Sequence, residues 1–236
     1  MLSKKLFAEG LGTLALLATV VGSGIMGTQL AQGNDALALL ANAGATAAIL
    51  YVLIIVLGPI SGAHFNPAVT LAMRLRREIS TPQALAYVFV QFLAAIAGVI
   101  LAHAMFDQPW VQPGTHVRAG AGLWLSEVVA TFGLVLTILM ALRHRQASIP
   151  VLVASYIFAA YWFTASTSFA NPAVTLARAL TQSFAGIRLA DVPAFMLAQT
   201  LGTVLAVLAA RYLLKTDAAA VGTNGAGVLA PTPADS

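Results

Sequence analysis

The sequence predicts an all-α membrane protein with six spanning helices and two short re-entrant helices, arranged as two inverted repeats. Three observations support this fold class. Hydrophobic residues make up 59% of the 236 residues and charged residues only 8%, whereas a soluble domain carries about 25% charged residues. Six apolar stretches are long enough to cross a bilayer. One short motif occurs twice, in apolar segments too short to span.

The six predicted spans lie between charged or turn-forming residues. A spanning helix needs about 20 mostly apolar residues to cross a hydrocarbon core of roughly 30 Å. The predicted spans are 6–30, 36–57, 82–106, 122–142, 150–165 and 192–214. Gly58 and Pro59 are predicted to end the second span. Together the spans predict a single membrane domain over residues 1–215, with repeats at about 6–106 and 122–214.

The 12 Lys and Arg residues are unevenly divided between the two ends of these spans. One end carries Lys4, Lys5, Arg74, Arg76, Arg77, Arg143, Arg145, Arg211 and Lys215, and the other carries Arg118, Arg178 and Arg188. This bias predicts that both termini lie in the cytoplasm. We also expect the host membrane to be the inner, or cell, membrane. Residues 216–236 are small and polar, and we expect a disordered tail. The absence of cysteine excludes disulfides and thiolate metal sites.

Two further apolar segments, 61–75 and 166–180, follow spans that already cross the membrane. A helix from Pro67 to about Leu75 would cover less than half of the hydrocarbon core. Both segments are therefore predicted to be re-entrant. Non-helical backbone at membrane depth is tolerated only where protein buries it or where it lines a water-filled cavity. This pattern indicates a pore.

The two re-entrant segments are near copies of each other. Residues 66–72 and 171–177 both read Asn-Pro-Ala-Val-Thr-Leu-Ala. In the neighbouring spans Glu9 is mirrored by Glu127, and Gln91 by Gln199. Each repeat holds an odd number of spans, so the halves insert with opposite topology. The two Asn-Pro-Ala turns are therefore predicted to meet near the membrane midplane.

The paired motifs resemble the signatures of the aquaporin, or major intrinsic protein, family. The first copy reads SGAHFNPAVT over residues 61–70, and the resemblance covers about residues 6–214. It implies a passive channel for small neutral molecules, a homotetramer with one pore in each subunit, and neither a cofactor nor enzymatic activity. The central pore motifs are predicted to be Asn66, Pro67, Ala68, Asn171, Pro172 and Ala173.

Elementary chemistry supports this assignment. Proline suits the first position of a helix, and the asparagine before it is a candidate N-cap. Each asparagine amide is then expected to point an N–H at the lumen, where both half-helices also aim the positive ends of their dipoles. Such a site should repel cations, including hydronium, and orient a passing water molecule.

The resemblance also implies roles for the residues around the motifs. Glu9 and Glu127 are expected to accept backbone hydrogen bonds from the re-entrant loops, a proton-relay role being the alternative. Backbone carbonyls are expected to form a ladder for solutes at Gly62, Ala63, His64, Ser168, Phe169 and Ala170. The side chain of His64 is expected to pack and hydrogen-bond rather than gate the pore.

One position departs from the family pattern. The residue after the second Asn-Pro-Ala is usually arginine and belongs to a constriction near the outer mouth, but here it is Val174. By motif spacing the other constriction residues are Thr46, Ala159 and Ser168. Because all four are small, we expect a wider and less polar filter than in water-selective members. Members with this departure are associated with glycerol, urea or arsenous acid, so the chain resembles an aquaglyceroporin-like bacterial member.

Two questions stay open at the level of sequence. Arg178, four residues after Val174, would lie on nearly the same helix face and could replace the missing charge, or it could be a snorkelling arginine at a helix end. The function could also be that of a strict water channel, or less plausibly of a secondary transporter, because inverted repeats occur there too. An intramembrane enzyme is disfavoured because no Ser/His pair or metal cluster is evident.

Overall fold

The structure, a computed structural model, describes residues 2–215, which form eight α-helices. These are α1 Leu2–Ala31, α2 Asp35–Ser61, α3 Pro67–Leu75, α4 Thr81–Met105, α5 Ala121–His144, α6 Ile149–Phe163, α7 Pro172–Ala177 and α8 Val192–Leu213. This part of the chain contains no strand. The predicted fold class is confirmed, and the predicted tail, 216–236, lies outside the described residues.

Six of the described helices are long and apolar enough to cross a membrane, namely α1, α2, α4, α5, α6 and α8. Helix α6 reaches this length only together with a short 3-10 turn at its N-terminus, and α8 is extended by a similar turn. Large apolar side chains on their outer faces are exposed, as with Phe89 at 67% and Leu197 at 72%. Exposed apolar surface of this kind suits contact with lipid tails.

The second span is longer than the sequence predicts. We expected it to end at Gly58 and Pro59, but α2 continues through Pro59 to Ser61. A proline near the end of a helix removes only one intrahelical donor, and the helix can close beyond it. Here it closes at Gly62, which has φ 91° and donates its N–H to the Gly58 carbonyl at 2.9 Å.

The two repeats pack in equivalent ways, α1 against α4 and α5 against α8. Each pair approaches closely at a glycine. A Cβ at Gly98 would lie 2.4 Å from the Leu14 carbonyl oxygen, and one at Gly202 would lie 2.5 Å from the Val128 carbonyl oxygen. Since these neighbours are backbone atoms, both crossings require glycine. Small residues at such crossings are typical of membrane helix packing.

The short helices α3 and α7 occupy the space between the long pairs. Helix α3 contacts α4, α5 and α8, and α7 contacts α4, α8 and α3. Asn66 caps α3 and Asn171 caps α7, each followed by proline at the first helical position. The two half-helices therefore meet at their N-terminal ends inside the bundle.

Candidate functional site

The two Asn-Pro-Ala turns are joined by reciprocal hydrogen bonds. Asn66 Nδ2 donates to the Ala170 carbonyl and Asn171 Nδ2 donates to the Phe65 carbonyl, both at 2.8 Å. The amide oxygens accept from their own half-helices, Asn66 Oδ1 from the Ala68 N–H at 2.8 Å. Each side-chain amide nitrogen carries two N–H groups, so one remains for a molecule in the lumen.

Two buried carboxylates hold the loops that lead into the half-helices. Glu9, with no exposed surface, accepts from the His64 N–H at 3.0 Å and the Phe65 N–H at 2.7 Å. Glu127 is equally buried and accepts from the Phe169 and Ala170 N–H groups, both at 2.9 Å. Both carboxylates lie where the resemblance placed them, beside the re-entrant loops.

A glutamine completes each carboxylate site. Gln91 Nε2 donates to Glu9 Oε2 at 2.9 Å, and Gln199 Nε2 donates to Glu127 Oε2 at 2.6 Å. The same amides bond a threonine of the neighbouring half-helix, Thr70 in one repeat and Thr175 in the other. Each carboxylate thus ties a long helix, a loop and a half-helix together. The sequence revealed this glutamine pair only through its repeat symmetry.

The loop backbone adopts unusual conformations at matching positions. Ala63 and Phe65 have φ of 51° and 49°, and Ser168 and Ala170 have φ of 50° and 47°. Non-glycine residues rarely adopt this left-handed region, and each such residue costs of order 1–3 kcal/mol unless its surroundings hold it. The carboxylate bonds to the loop N–H groups supply that support.

A cavity of about 230 Å³ runs past both motifs. Both asparagines line it, as do the loop residues predicted to provide carbonyls: Gly62, Ala63, His64, Ser168, Phe169 and Ala170. The remaining walls are mostly apolar and include Leu16, Val20, Leu50, Ile54, Leu134, Ile138, Val153 and Ile157. One side of the lumen therefore offers backbone and amide groups, and the rest offers only van der Waals contact. We call the end of this cavity beside segments 106–120 and 164–191 the loop mouth.

His64 is held inside its loop. Its Nδ1 lies 3.1 Å from Thr70 Oγ1, and its ring meets the Tyr87 ring edge-on with centroids 5.2 Å apart. The ring therefore packs and hydrogen-bonds, in line with the interpretation favoured from the sequence.

The loop mouth gathers three of the four predicted constriction residues. Thr46, Ser168 and Val174 line the cavity, but Ala159 is exposed on the outer face of α6 and does not line it. Residues two positions apart on a helix point about 200° apart. Ile157 and Tyr161, on either side of Ala159, are the α6 residues that line this part of the cavity. The assignment of Ala159 was wrong by two positions.

Tyr161 narrows the mouth opposite the second half-helix. Its hydroxyl lies 3.3 Å from Thr46 Oγ1, and both residues are buried. An aromatic residue in an apolar helix gives no sequence signal of a lumenal position, so Tyr161 could not be found without the register of α6.

Arg178 also lies at the loop mouth. It is only 2% exposed, it lines the cavity, and its guanidinium carbon lies 3.4 Å from the centre of the Phe169 ring. Its Nε donates to the Ala185 carbonyl. This burial is incompatible with snorkelling from a helix end, one of the two interpretations left open by the sequence.

The fold and the cavity define a class: an α-helical membrane protein with a pore at the junction of two capped half-helices. The major intrinsic protein family matches residues 1–165. The chain belongs to that family, as its motifs predicted. It is 54% identical over 214 residues to aquaglyceroporin AqpS of Rhizobium meliloti (strain 1021), covering 91% of each chain.

More distant relatives agree with this family. The probable aquaporin PIP2-8 of Oryza sativa subsp. japonica is 34% identical over 157 residues, covering 61% of this chain and 55% of the relative. The X-ray structure of the aquaglyceroporin from Plasmodium falciparum matches with a TM-score of 0.72, covering 94% of this chain and 99% of that one. At 18% identity this second match supports the fold alone.

Proposed function

We propose that the protein is a passive channel for small neutral solutes. The observation that carries this proposal is the meeting of two asparagine-capped half-helices inside a cavity whose other walls are mostly apolar. A lumen with one polar side and apolar walls suits molecules such as water and glycerol-like polyols, which present both hydroxyl groups and carbon. The 54% identity to a protein named an aquaglyceroporin supports the same assignment.

Ions are excluded by two features at the same point. The positive ends of α3 and α7 and the free amide N–H groups of Asn66 and Asn171 disfavour a cation there. The apolar walls replace none of an ion's hydration, and transfer of a charge into such surroundings is costly. A water molecule that accepts from both amides cannot relay a proton along the file.

The loop mouth sets the size limit in this proposal. Val174, Ser168 and Thr46 are small, so the opening admits solutes larger than water, while Tyr161 restricts it from the α6 side. Water, glycerol, urea and arsenous acid are the solutes to test first. In this proposal Gly62, Ala63 and His64, with Ser168, Phe169 and Ala170, offer carbonyl oxygens to hydroxyl donors.

A panel of fluxes in vesicles tests the proposal. Reconstituted protein should speed the entry of glycerol and urea as well as water, without ion current and without accumulation of solute. Water flux alone would identify a strict water channel. Accumulation of solute against its gradient, driven by protons, would instead identify a secondary transporter.

We also propose that the protein is a homotetramer of an inner membrane with both termini in the cytoplasm. The uneven division of Lys and Arg supports this orientation, and the exposed apolar faces of the helices leave surface for lipid and for neighbouring subunits. Cross-linking in native membranes and protease access from each side would test these assignments. The family contains channels, and we propose no enzymatic role.

A further inference from the structure

Two buried arginines lie together at the loop mouth. Arg178 is 2% exposed and Arg118 is 7% exposed, and both guanidiniums lie against the Phe169 ring, at 3.4 and 4.9 Å from its centre. Burial lowers the pKa of Arg118 to about 10, which leaves it protonated at neutral pH, and arginine in general stays charged. Two positive charges therefore lie beside one aromatic ring.

Neither guanidinium has a carboxylate partner within residues 2–215. Both instead donate to carbonyls of the loop after α7: Arg118 to Phe184 and Gly186, and Arg178 to Ala185. The carboxylates nearby are already engaged. Asp191 accepts from the Arg118 backbone N–H at 2.8 Å and from the Arg188 guanidinium at 2.7 Å. The mouth thus keeps a net positive charge.

Two polar atoms at this mouth are buried and have no hydrogen-bond partner among residues 2–215. They are Nη1 of Arg178 and Oγ of Ser168, and both residues line the cavity. A guanidinium nitrogen can only donate, and a serine hydroxyl can donate. Leaving such groups unpaired in a buried site costs free energy, so an acceptor that enters the cavity would be bound there.

We infer that Arg178 Nη1 and Ser168 Oγ form a binding subsite at the loop mouth for a small monovalent oxyanion, which competes with neutral solutes for the pore. Positive charge and unpaired donors favour an anion that carries several acceptor oxygens. Planar oxyanions match the fork of a guanidinium. The anion binds and does not cross, because the walls beyond the mouth are mostly apolar, the loop carbonyl oxygens repel it, and the two asparagine amides and half-helix ends replace only part of its hydration.

Nitrate is a suitable probe, since it is small, planar and monovalent at all working pH values. Glycerol flux into vesicles would be measured with nitrate on both sides, and gluconate, a much bulkier anion, would replace nitrate at constant ionic strength. We expect a saturable fall in flux, about twofold or more at roughly 100 mM, as for a site with millimolar to tens-of-millimolar affinity. Arg178→Met should abolish the nitrate effect, and Arg178→Lys should weaken it because the fork is lost.

Arg188→Gln is the matched control, because it removes a positive charge from the same end of the protein at a side chain that is 45% exposed. Its nitrate sensitivity should equal that of the unmodified protein. A second readout does not depend on flux: nitrate should raise the melting temperature of the detergent-solubilised protein relative to gluconate, and less so for Arg178→Met.

The inference rests on the proposed function only for its flux readout. If the unmodified protein conducts glycerol but nitrate changes neither flux nor melting temperature, the subsite does not exist, whatever the variants do. Equal inhibition in unmodified protein and Arg178→Met would also overturn it, since the effect would then come from elsewhere. Absence of any solute flux, with nitrate stabilisation intact, would instead count against the channel and leave the subsite in place.

Discussion

Replacement of Glu127 by glutamine tests whether the buried carboxylates hold the pore loops in place. In the unmodified protein Glu127 Oε1 accepts from the Phe169 N–H at 2.9 Å, and Oε2 accepts from the Ala170 N–H at 2.9 Å and from Gln199 Nε2 at 2.6 Å. Glutamine keeps one oxygen and turns an NH₂ group toward donors at the other position. The negative charge is lost as well.

The size of the effect follows from these bonds. A hydrogen bond to a charged group contributes about 1.5–3 kcal/mol, and a buried donor left unpaired costs about 1–3 kcal/mol. Gln199 can reduce this cost, because its Oε1 has no partner now and a flipped amide would accept from the new NH₂ group. Flipping the Gln199 amide, however, would break the hydrogen bond from Gln199 Nε2 to Thr175 Oγ1. We therefore expect Glu127→Gln to destabilise the protein by about 2–4 kcal/mol.

The assay is thermal unfolding of the solubilised protein together with glycerol flux in vesicles between pH 6 and 8. Both stability and flux should fall, the flux several-fold, because Phe169 and Ala170 line the cavity. The ratio of variant to unmodified flux should be the same at every pH, since the role assigned to the carboxylate involves no proton transfer. Glu9→Gln should lower stability and flux in the same way, because the hydrogen bonds that Glu9 accepts are equivalent to those of Glu127.

Asp107→Asn is the control, because it removes the same charge at an exposed residue. Its φ of 53° is one that asparagine adopts readily. If Glu127→Gln matches this control in both stability and flux, the carboxylate does not support the loop. A pH-dependent loss confined to the Glu127 variant would point to proton relay instead.

Three further predictions concern the lumen and the helix crossings. Val174→Arg should lower the ratio of glycerol to water permeability, measured in vesicles, several-fold. Val174→Met adds bulk without charge and should lower this ratio less. If the ratio for Val174→Arg is unchanged at normal water flux, this position does not limit the width of the pore. Asn66→Asp should admit a measurable cation current in planar bilayers. Asn34→Asp, at an exposed helix cap, is the control and should conduct no ions. Equal currents in the two variants would refute the role of the Asn66 amide in cation exclusion. Gly98→Ala should destabilise the protein by about 1–3 kcal/mol or prevent its assembly, because the new Cβ would lie 2.4 Å from a backbone carbonyl oxygen of α1. Gly44→Ala is the control: within residues 2–215 its Cβ would have no neighbour closer than 4 Å beyond the adjacent helix backbone, so this variant should have the melting temperature of the unmodified protein.

The repeat and the spans could be predicted because they depend on local sequence. Three spans, an odd number, separate the identical heptapeptides at 66–72 and 171–177, so the two half-helices enter from opposite faces. The start of α3 at Pro67 and its end at Leu75 agree with the prediction. Proline after an asparagine cap is a strong local signal, so these boundaries needed no tertiary information.

The register of a uniformly apolar helix could not be predicted. All residues of α6 between Ile149 and Phe163 are apolar or weakly polar, so no periodicity marks the face toward the lumen. The placement of Ala159 in the constriction relied on spacing alone, and a shift of two residues was enough to move it to the outer surface. Only packing against α2 and α5 decides that Ile157 and Tyr161 face inward.

The side chain of Arg178 was unpredictable for a different reason. The position of Arg178 relative to Val174 followed from the spacing along the helix. The direction of the Arg178 side chain depends instead on the Ala185 carbonyl, in the 184–186 loop, and on the Phe169 ring. Both partners are remote from the motif or lack any polar signature. The sequence likewise assigned Arg118 to one end of the spans, but it gave no signal that Arg118 lies beside the Phe169 ring.

These positions explain how a valine can follow the second motif without leaving the mouth uncharged. The family's usual arginine begins one turn deeper, so its side chain would occupy the lumen beside Ser168. Arg178 follows the last residue of α7 and donates to the Ala185 carbonyl, and its guanidinium carbon lies 3.4 Å from the centre of the Phe169 ring at the cavity wall. In our proposal, charge and width, which a single arginine couples in the usual filter, are carried by separate residues: Arg178 keeps the mouth positive while Val174 leaves it open. Removal of the charge by Arg178→Met should then alter anion sensitivity more than the glycerol-to-water ratio, and Val174→Met, which adds bulk without charge, should do the reverse.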